Sequence, residues 1–315
     1  KRHEDRVGQL TGYRLRGVLE TMFGNLVNAK NDLEKAVSLY DASIDQGLRL
    51  EYGQDPRAAS LAYLAFVLSL LGYPGQAISA QNHAMAWAEQ TGHTYTKAYA
   101  LFWAGCMASM VRGDNVRLTD YSTELKEIAE AEGFQLWCEM SRFMFALARF
   151  EENGEQSNID RFQADTSYFD RPPEFFRVTM NVPYFSVVSA GVLAKSVAPD
   201  AAMSRIDQAI RMAINAEETW GEPEMLRRRG CLLLQFEGRE NEAKADFVKS
   251  IDIAQSQGAK LWELRTSTSL ARLWQSQRNK KEAHDLLAPV YDWFTEGFDT
   301  KDLKEAKALL EELVP

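Results

Sequence analysis

The chain has 315 residues, of which 45% are hydrophobic and 26% are charged, as in an ordinary folded protein. Its formal net charge of -9 at pH 7 disfavours a nucleic-acid partner, because such proteins concentrate Lys and Arg on one face. The longest apolar run, residues 60–71, is shorter than the ~20 residues that cross a bilayer, so no membrane span is expected.

The first third of the chain carries clear signals for where helices begin and end. Gly24 and Asn25 predict a turn, since glycine readily ends a helix in a left-handed conformation. Asp55 followed by Pro56 predicts a helix start, and residues 72–75 (Gly-Tyr-Pro-Gly) predict the next turn. These signals predict two helical hairpins, at about residues 7–46 and 56–91.

Glycine and proline divide the rest of the chain in the same way. Glu222 with Pro223 opens a helix, and Pro199 with Asp200 marks a turn within a hairpin. Glycines fall between periodic segments at positions 92, 113, 133, 154, 238 and 258. The further predicted hairpins span about residues 95–132, 134–168, 183–216, 223–257 and 260–297.

Two segments depart from the hairpin pattern. Residues 165–183 contain prolines and aromatic residues that interrupt helical spacing. They are interpreted either as a long loop joining two halves of one superhelix or as a mobile loop that contacts a partner. Residues 300–313 predict a final amphipathic helix, with leucines on one face and charges on the other, which would cap the last hairpin.

Small residues recur at a fixed spacing of twelve and then seven positions. The sets are Gly17, Ala29, Ala36; Ala65, Ala77, Ala84; and Ala190, Ala202, Ala209, with looser copies at Cys231, Ala243, Ser250 and at Ala271, Ala283, Val290. In each set the last two residues lie on one stripe of a helix, where a small side chain allows close helix approach. The pattern predicts an all-α, right-handed superhelix of about seven hairpins in a single repeat domain.

Residues able to perform catalysis are scattered. His3, His83, His93 and His284 show no metal-ligand spacing, and no phosphate-binding glycine loop is present. The sequence therefore predicts no catalytic site, cofactor or metal in this chain. The three cysteines are widely spaced and lie in segments that are predicted to be helical. This is typical of buried free thiols in a reducing compartment and predicts a cytoplasmic location.

The first helices of the hairpins are expected to form a concave wall that binds a partner. Its predicted members are apolar in the middle and basic toward the ends: Phe66, Trp103, Met107, Met110, Met144, with Arg14, Arg228, Arg265 and Arg272. Such a wall would take an amphipathic helix or an acidic peptide. The alternative is that the apolar members are core and that the arginines pair with neighbouring glutamates.

Three consecutive arginines, residues 227–229, need separate treatment. Successive residues on a helix point about 100° apart, so the run cannot form one flat patch. One arginine is expected to face the groove, and the other two are expected to pair with acids such as Glu222 and Glu224 on the same helix.

The small-residue pattern resembles the tetratricopeptide repeat superfamily. Particular segments are similar to the carboxyl-terminal repeats of bacterial proteins that begin with a class III adenylate or guanylate cyclase domain, followed by a signalling ATPase. They include Tyr-Gly-Gln-Asp-Pro-Arg at residues 52–57, Leu-Leu-Ala-Pro-Val-Tyr at 286–291 and Phe-Thr-Glu-Gly-Phe-Asp-Thr at 294–300. The resemblance covers nearly the whole chain, but residues 165–183 follow it poorly.

The resemblance implies a non-catalytic region that binds a protein segment or small effector and regulates attached cyclase and ATPase domains. The charged start at residues 1–6, without Met, agrees with a piece of a longer protein. Two alternatives stay open at this point. One is a rigid scaffold or homo-oligomerisation arm, and the other is the ligand-sensing domain of a transcription activator.

Overall fold

The computed structural model describes residues 2–153, 162, 181–194 and 199–314. Within these ranges the chain forms helices joined by short turns, and no β-strand is present. The predicted all-helical class is therefore confirmed. The chain divides into two compact units: unit 1 comprises residues 1–21 and 25–165, and unit 2 comprises residues 22–24 and 166–315.

Unit 1 is built from short and medium-length helices in sequence order. They are α1 (Arg2–Met22), α2 (Leu26–Leu39), α3 (Leu48–Tyr52), α4 (Pro56–Leu70), α5 (Pro74–Thr91), α6 (Thr94–Ala100), a π-helical segment (Leu101–Met107), α7 (Ala108–Arg112), α8 (Asn115–Glu132) and α9 (Gln135–Asn153). The π-helical segment joins α6 to α7 without a turn, so the three pieces form one rod.

Sequence signals place the ends of these helices. Asp55 caps α4, and its carboxylate accepts hydrogen bonds from the backbone N–H groups of Arg57 and Ala58, both at 2.9 Å. Helix α5 begins at Pro74 and ends at Thr91, and the next residue, Gly92, caps it with a left-handed φ of 60°. The predicted helix start at Asp55-Pro56 and the predicted turn at residues 72–75 are confirmed.

Small residues line the contacts between these helices. Ala65, Ala77 and Ala84 are fully buried, and α4 packs against both α2 and α5. At Gly17 a Cβ atom would lie 2.8 Å from Leu33 Cγ, so only glycine fits between α1 and α2 without displacement. Close helix approach at the predicted small residues is thus present in unit 1.

Unit 2 is also built from helices in sequence order. They are α10 (Val182–Leu193), α11 (Pro199–Asn215), α12 (Glu222–Leu233), α13 (Glu240–Gln257), α14 (Lys260–Ser276), α15 (Lys280–Asp292) and α16 (Lys301–Leu313). At Gly230 of α12 a Cβ atom would lie 2.6 Å from Phe247 Cε1 of α13. The predicted helix start at Glu222-Pro223 is confirmed.

The predicted final helix is also present. Helix α16 buries Leu303, Ala306, Leu309 and Leu313 against α14 and α15, and its opposite face carries the charged residues. Most of the irregular stretch at residues 165–183 lies outside the described residues, as do Gly154 and the carboxyl-terminal part of the hairpin predicted at 134–168. Pro183 lies in the first turn of α10.

Candidate functional site

The apolar residues predicted to line a groove lie in the core of unit 1. Phe66, Trp103, Met107 and Met144 are at most 4% exposed, and Met110 is half-buried. Trp103 stacks on Tyr63 with ring centroids 4.1 Å apart. Trp103 also contacts Phe66, with ring centroids 5.7 Å apart, and the burial of these side chains agrees with the core alternative that the sequence left open. Their role in binding a partner stays a prediction.

The predicted groove arginines of unit 2 each contact a carboxylate. Arg228 Nε donates to Glu224 at 2.8 Å, Arg265 Nε donates to Asp302 at 2.7 Å, and Arg272 contacts Glu305 at 3.3 Å. In unit 1, Arg14 is 6% exposed, and its Nε has no hydrogen-bond partner among the described residues.

Glu224 holds two arginines at the start of α12. Its buried carboxylate accepts hydrogen bonds from Arg227 at 2.7 and 2.8 Å and from Arg228 at 2.8 Å. Burial acts to raise the pKa of Glu224, but the two guanidinium groups outweigh it and hold that pKa well below its ordinary value. Glu224 therefore stays ionised inside unit 2.

The third arginine of the run turns to other helices. Arg229 donates to Asp246 of α13 at 2.6 and 2.7 Å and to Asp207 of α11 at 3.2 Å. Glu222, which was expected to pair within the run, instead contacts Lys249 at 3.3 Å. That expectation was wrong because a helix start exposes its first acid to the neighbouring helix α13 as well as to its own next turn.

A second buried carboxyl of unit 2 has no cation beside it among the described residues. Glu218 is 8% exposed and accepts hydrogen bonds from the backbone N–H of Asn181 at 2.8 Å and from Trp220 Nε1 at 3.2 Å. Burial raises the pKa of Glu218 to about 7, although the two donors partly oppose the shift. Glu218 thus changes charge near neutral pH.

Unit 1 carries a cleft on either side of the half-buried Trp87. The larger part has a volume of about 370 Å³, and the smaller part has a volume of about 180 Å³. Both are lined by Trp87 and Gln90 of α5. The larger part is completed by Val37, Arg57, Leu61, His83 and Ala86, and the smaller by Tyr40, Gln46, Arg49, Asp55 and Thr91.

Asp55 fixes the aromatic residues of this cleft. Its Oδ1 accepts from Trp87 Nε1 at 3.0 Å, and its Oδ2 accepts from the Tyr40 hydroxyl at 2.7 Å. The two rings meet edge to face, with centroids 5.8 Å apart. Because the same carboxylate also caps α4, the helix start and the cleft wall share one anchor.

Arg57 faces Trp87, and no described carboxylate forms an ion pair with it. Its guanidinium carbon lies 4.3 Å from the centroid of the Trp87 ring, as in a cation–π contact. Its buried Nε has no hydrogen-bond partner in the described part of the chain. The sequence analysis missed this site. A usable signal was the stripe of His83, Trp87 and Gln90, which lie at i, i+4 and i+7 on one face of α5.

Arg112 is a second arginine of unit 1 with neutral partners. It is 7% exposed and donates to the Ser69 hydroxyl at 2.9 Å and to Gln81 Oε1 at 2.7 Å. Burial lowers the pKa of Arg112 to about 10. Among the described residues no carboxylate contacts this guanidinium.

Comparison with known proteins finds a distant relative. No family model matches the chain. An uncharacterised protein of Rhizobium meliloti (strain 1021) is 24% identical over 242 residues, which cover 76% of this chain and 23% of that protein. The chain thus spans about a quarter of the length of this relative. None of the described helices is both long and apolar enough to span a membrane.

Proposed function

We propose that the helices form a right-handed superhelix of about seven tetratricopeptide-like hairpins, closed by α16. Consecutive helices pack on each other within each unit, as in the pairs α4 with α5 and α12 with α13. The small residues that define the repeat are buried at these contacts. Repeat proteins build continuous binding walls in this way.

We propose further that the chain is a cytoplasmic, non-catalytic regulatory region of a cyclase-type signalling protein. It would bind a protein segment or small effector and pass its occupancy to attached cyclase and ATPase domains. The observation that carries the proposal is the packing of successive helices through small residues, because such stacks can change pitch when a ligand favours one arrangement. The much greater length of the relative agrees with a multidomain parent.

The test uses the full-length protein. The reading frame that precedes Lys1 is sequenced, and cyclic nucleotide formation from ATP and GTP is measured with and without residues 1–315. We expect a cyclase whose rate changes when this region is removed. A parent that forms no cyclic nucleotide, or one whose rate is the same in both forms, contradicts the proposal.

A rigid scaffold or oligomerisation arm is the second candidate. It is favoured by the burial of Phe66, Trp103, Met107 and Met144, since side chains that fill their own core leave less apolar surface for a partner. Light scattering of the chain distinguishes the two: a stable dimer whose melting temperature ignores candidate peptides supports the scaffold. A monomer stabilised by a peptide supports the regulatory region.

A further inference from the structure

We propose that the larger part of the cleft beside Trp87 binds a small amphipathic carboxylate. The carboxylate would pair with Arg57, and the apolar body of the ligand would lie against Val37, Leu61 and Trp87. The site lies entirely within unit 1. The proposal goes beyond the regulatory function proposed above, and it does not depend on whether the parent protein is a cyclase.

The charge of the cleft favours an anion. Arg57 has no ion pair with any described carboxylate, and the acid nearest in sequence, Asp55, already accepts hydrogen bonds from four donors. A partly desolvated guanidinium without a counter-anion forms a strong charge-assisted hydrogen bond when an anion binds, so the binding free energy is favourable. On a chain with a net charge of -9, this cleft is a local site of positive charge.

The guanidinium is held in place before any ligand binds. Trp87 is fixed by its hydrogen bond to Asp55, and Arg57 lies over the fixed ring. A planar guanidinium that is already ordered loses little freedom when it forms two parallel hydrogen bonds to a carboxylate. Among the described residues the buried Nε of Arg57 has no acceptor, so this guanidinium is not fully satisfied by the chain.

The walls and the volume of the cleft determine the polarity and size of the ligand body. Leu61 is buried, Val37 and Trp87 are half-buried, and together they form an apolar surface next to the charge. A volume of about 370 Å³ falls within the range of small-molecule sites, which is roughly 300–1,000 Å³. Ala86 and Gln90 at the rim are exposed, so a ligand can enter from solvent.

A monoanion suits this cleft better than a phosphate dianion. Arg57 is the one permanent cation among the residues that line the larger part. A carboxylate matches one guanidinium in both charge and planar geometry. The more polar smaller part, with Gln46 and Thr91, leaves room for an additional hydrogen-bonding group.

The test is a ligand-observed NMR titration of the intact chain with 3-phenylpropionate. Three further probes are 3-phenylpropanol, which lacks the charge, acetate, which lacks the ring, and inorganic phosphate. We expect 3-phenylpropionate to bind at least tenfold more tightly than each of the others. Arg57→Gln should weaken its binding at least tenfold, and Arg57→Lys should weaken it less, because the charge remains and the planar fork is lost.

Arg142→Gln is the matched control. Arg142 lies on α9 of unit 1, outside the cleft, so this substitution should leave the binding of 3-phenylpropionate unchanged. The proposal is overturned if 3-phenylpropanol, acetate or inorganic phosphate binds as tightly as 3-phenylpropionate, or if Arg57→Gln does not weaken the binding of 3-phenylpropionate. The probe comparison on the unmodified chain decides the matter even if a variant fails to fold, and no outcome depends on nucleotide cyclisation.

Discussion

Arginines that are at least partly buried are compensated differently at two places in the molecule. In unit 2, Arg227 and Arg265 donate to Glu224 and Asp302 at 2.7–2.8 Å. In unit 1, Arg57 lies over the Trp87 ring, and Arg112 donates to a hydroxyl and an amide. The difference is local, since Arg6 of unit 1 does pair with the buried Asp45.

The two kinds of arginine are expected to have different roles, one in stability and the other in ligand binding. A carboxylate at short range balances the charge of a guanidinium. Removing that acid leaves the guanidinium unpaired, which lowers the free energy of unfolding strongly. A guanidinium with only neutral partners keeps an unbalanced charge at low dielectric, and an incoming anion can supply what the chain does not. The arginines of unit 2 are therefore expected to govern stability, and Arg57 to govern binding.

Glu224→Gln should produce the largest change. The substitution keeps the shape of the side chain but leaves Arg227 and Arg228 without their buried counter-charge. We expect the free energy of unfolding to fall by about 3–5 kcal/mol, measured by chemical denaturation near pH 7. A loss below about 1 kcal/mol would show that the two arginines are already balanced by solvent.

Glu242→Gln is the control for that experiment. Glu242 also pairs with an arginine, Arg239, but on the exposed surface of α13. Water screens that pair, so no measurable change in stability is expected. If the two variants behaved alike, burial would not be what distinguishes the cluster at Glu224.

Glu218 tests the reverse case, a buried acid without a cation. Its pKa is about 7 in the folded chain against an ordinary 4.5. Between these values the folded chain holds a proton that the unfolded chain has released, so raising the pH lowers the free energy of unfolding. From pH 5 to pH 8 this group should account for a loss of roughly 2–3 kcal/mol.

The measurement is chemical denaturation across that pH range for the native chain and for Glu218→Gln. The variant cannot ionise, so its stability should depend less on pH by the stated amount. Parallel pH profiles would contradict the assignment of the proton to Glu218.

Glycine substitutions test a feature that the two units share and should give the smallest effects. Alanine at Gly17 or Gly230 would place a methyl group 2.8 Å from Leu33 or 2.6 Å from Phe247. Overpacking of about 1–3 kcal/mol outweighs a helix-propensity gain of about 1 kcal/mol, so both variants should lose up to about 2 kcal/mol. Thermal melting followed by circular dichroism would measure the change.

Gly12→Ala supplies an internal control on the same helix as Gly17. Apart from the backbone of its own helix and its chain neighbours, no heavy atom lies within 4 Å of the added Cβ, so this variant should gain up to about 1 kcal/mol. Opposite signs at Gly12 and Gly17 are the expected result. The same sign at both would mean that α1 and α2 do not approach closely at Gly17.

The sequence analysis predicted features that depend on nearby residues. The cap at Asp55, the helix start at Glu222 and the final helix after Thr300 all follow from signals within one turn of the chain. The small residues also predicted burial correctly at Ala65 and Ala77, because steric demand at a helix contact is visible in the side chain itself.

Pairings across helices were harder to predict. Arg265 and Asp302 are 37 positions apart, and Arg229 meets Asp246 across 17 positions. Periodicity gives the face on which each charge lies but not which of several acids on the neighbouring helix it meets. The cleft at Trp87 depends on the same kind of information, since three separate helices contribute to its wall.

One turn of unusual helix has an effect beyond its own residues. A π-helical turn takes about one residue more than an α-helical turn, so every side chain after Leu101–Met107 is rotated by roughly one step of ~100° relative to a regular rod. Arg112 follows that segment by five positions. Its meeting with Ser69 and Gln81 therefore depends on the π-helical segment upstream, and deleting one residue there would turn Arg112 away from both.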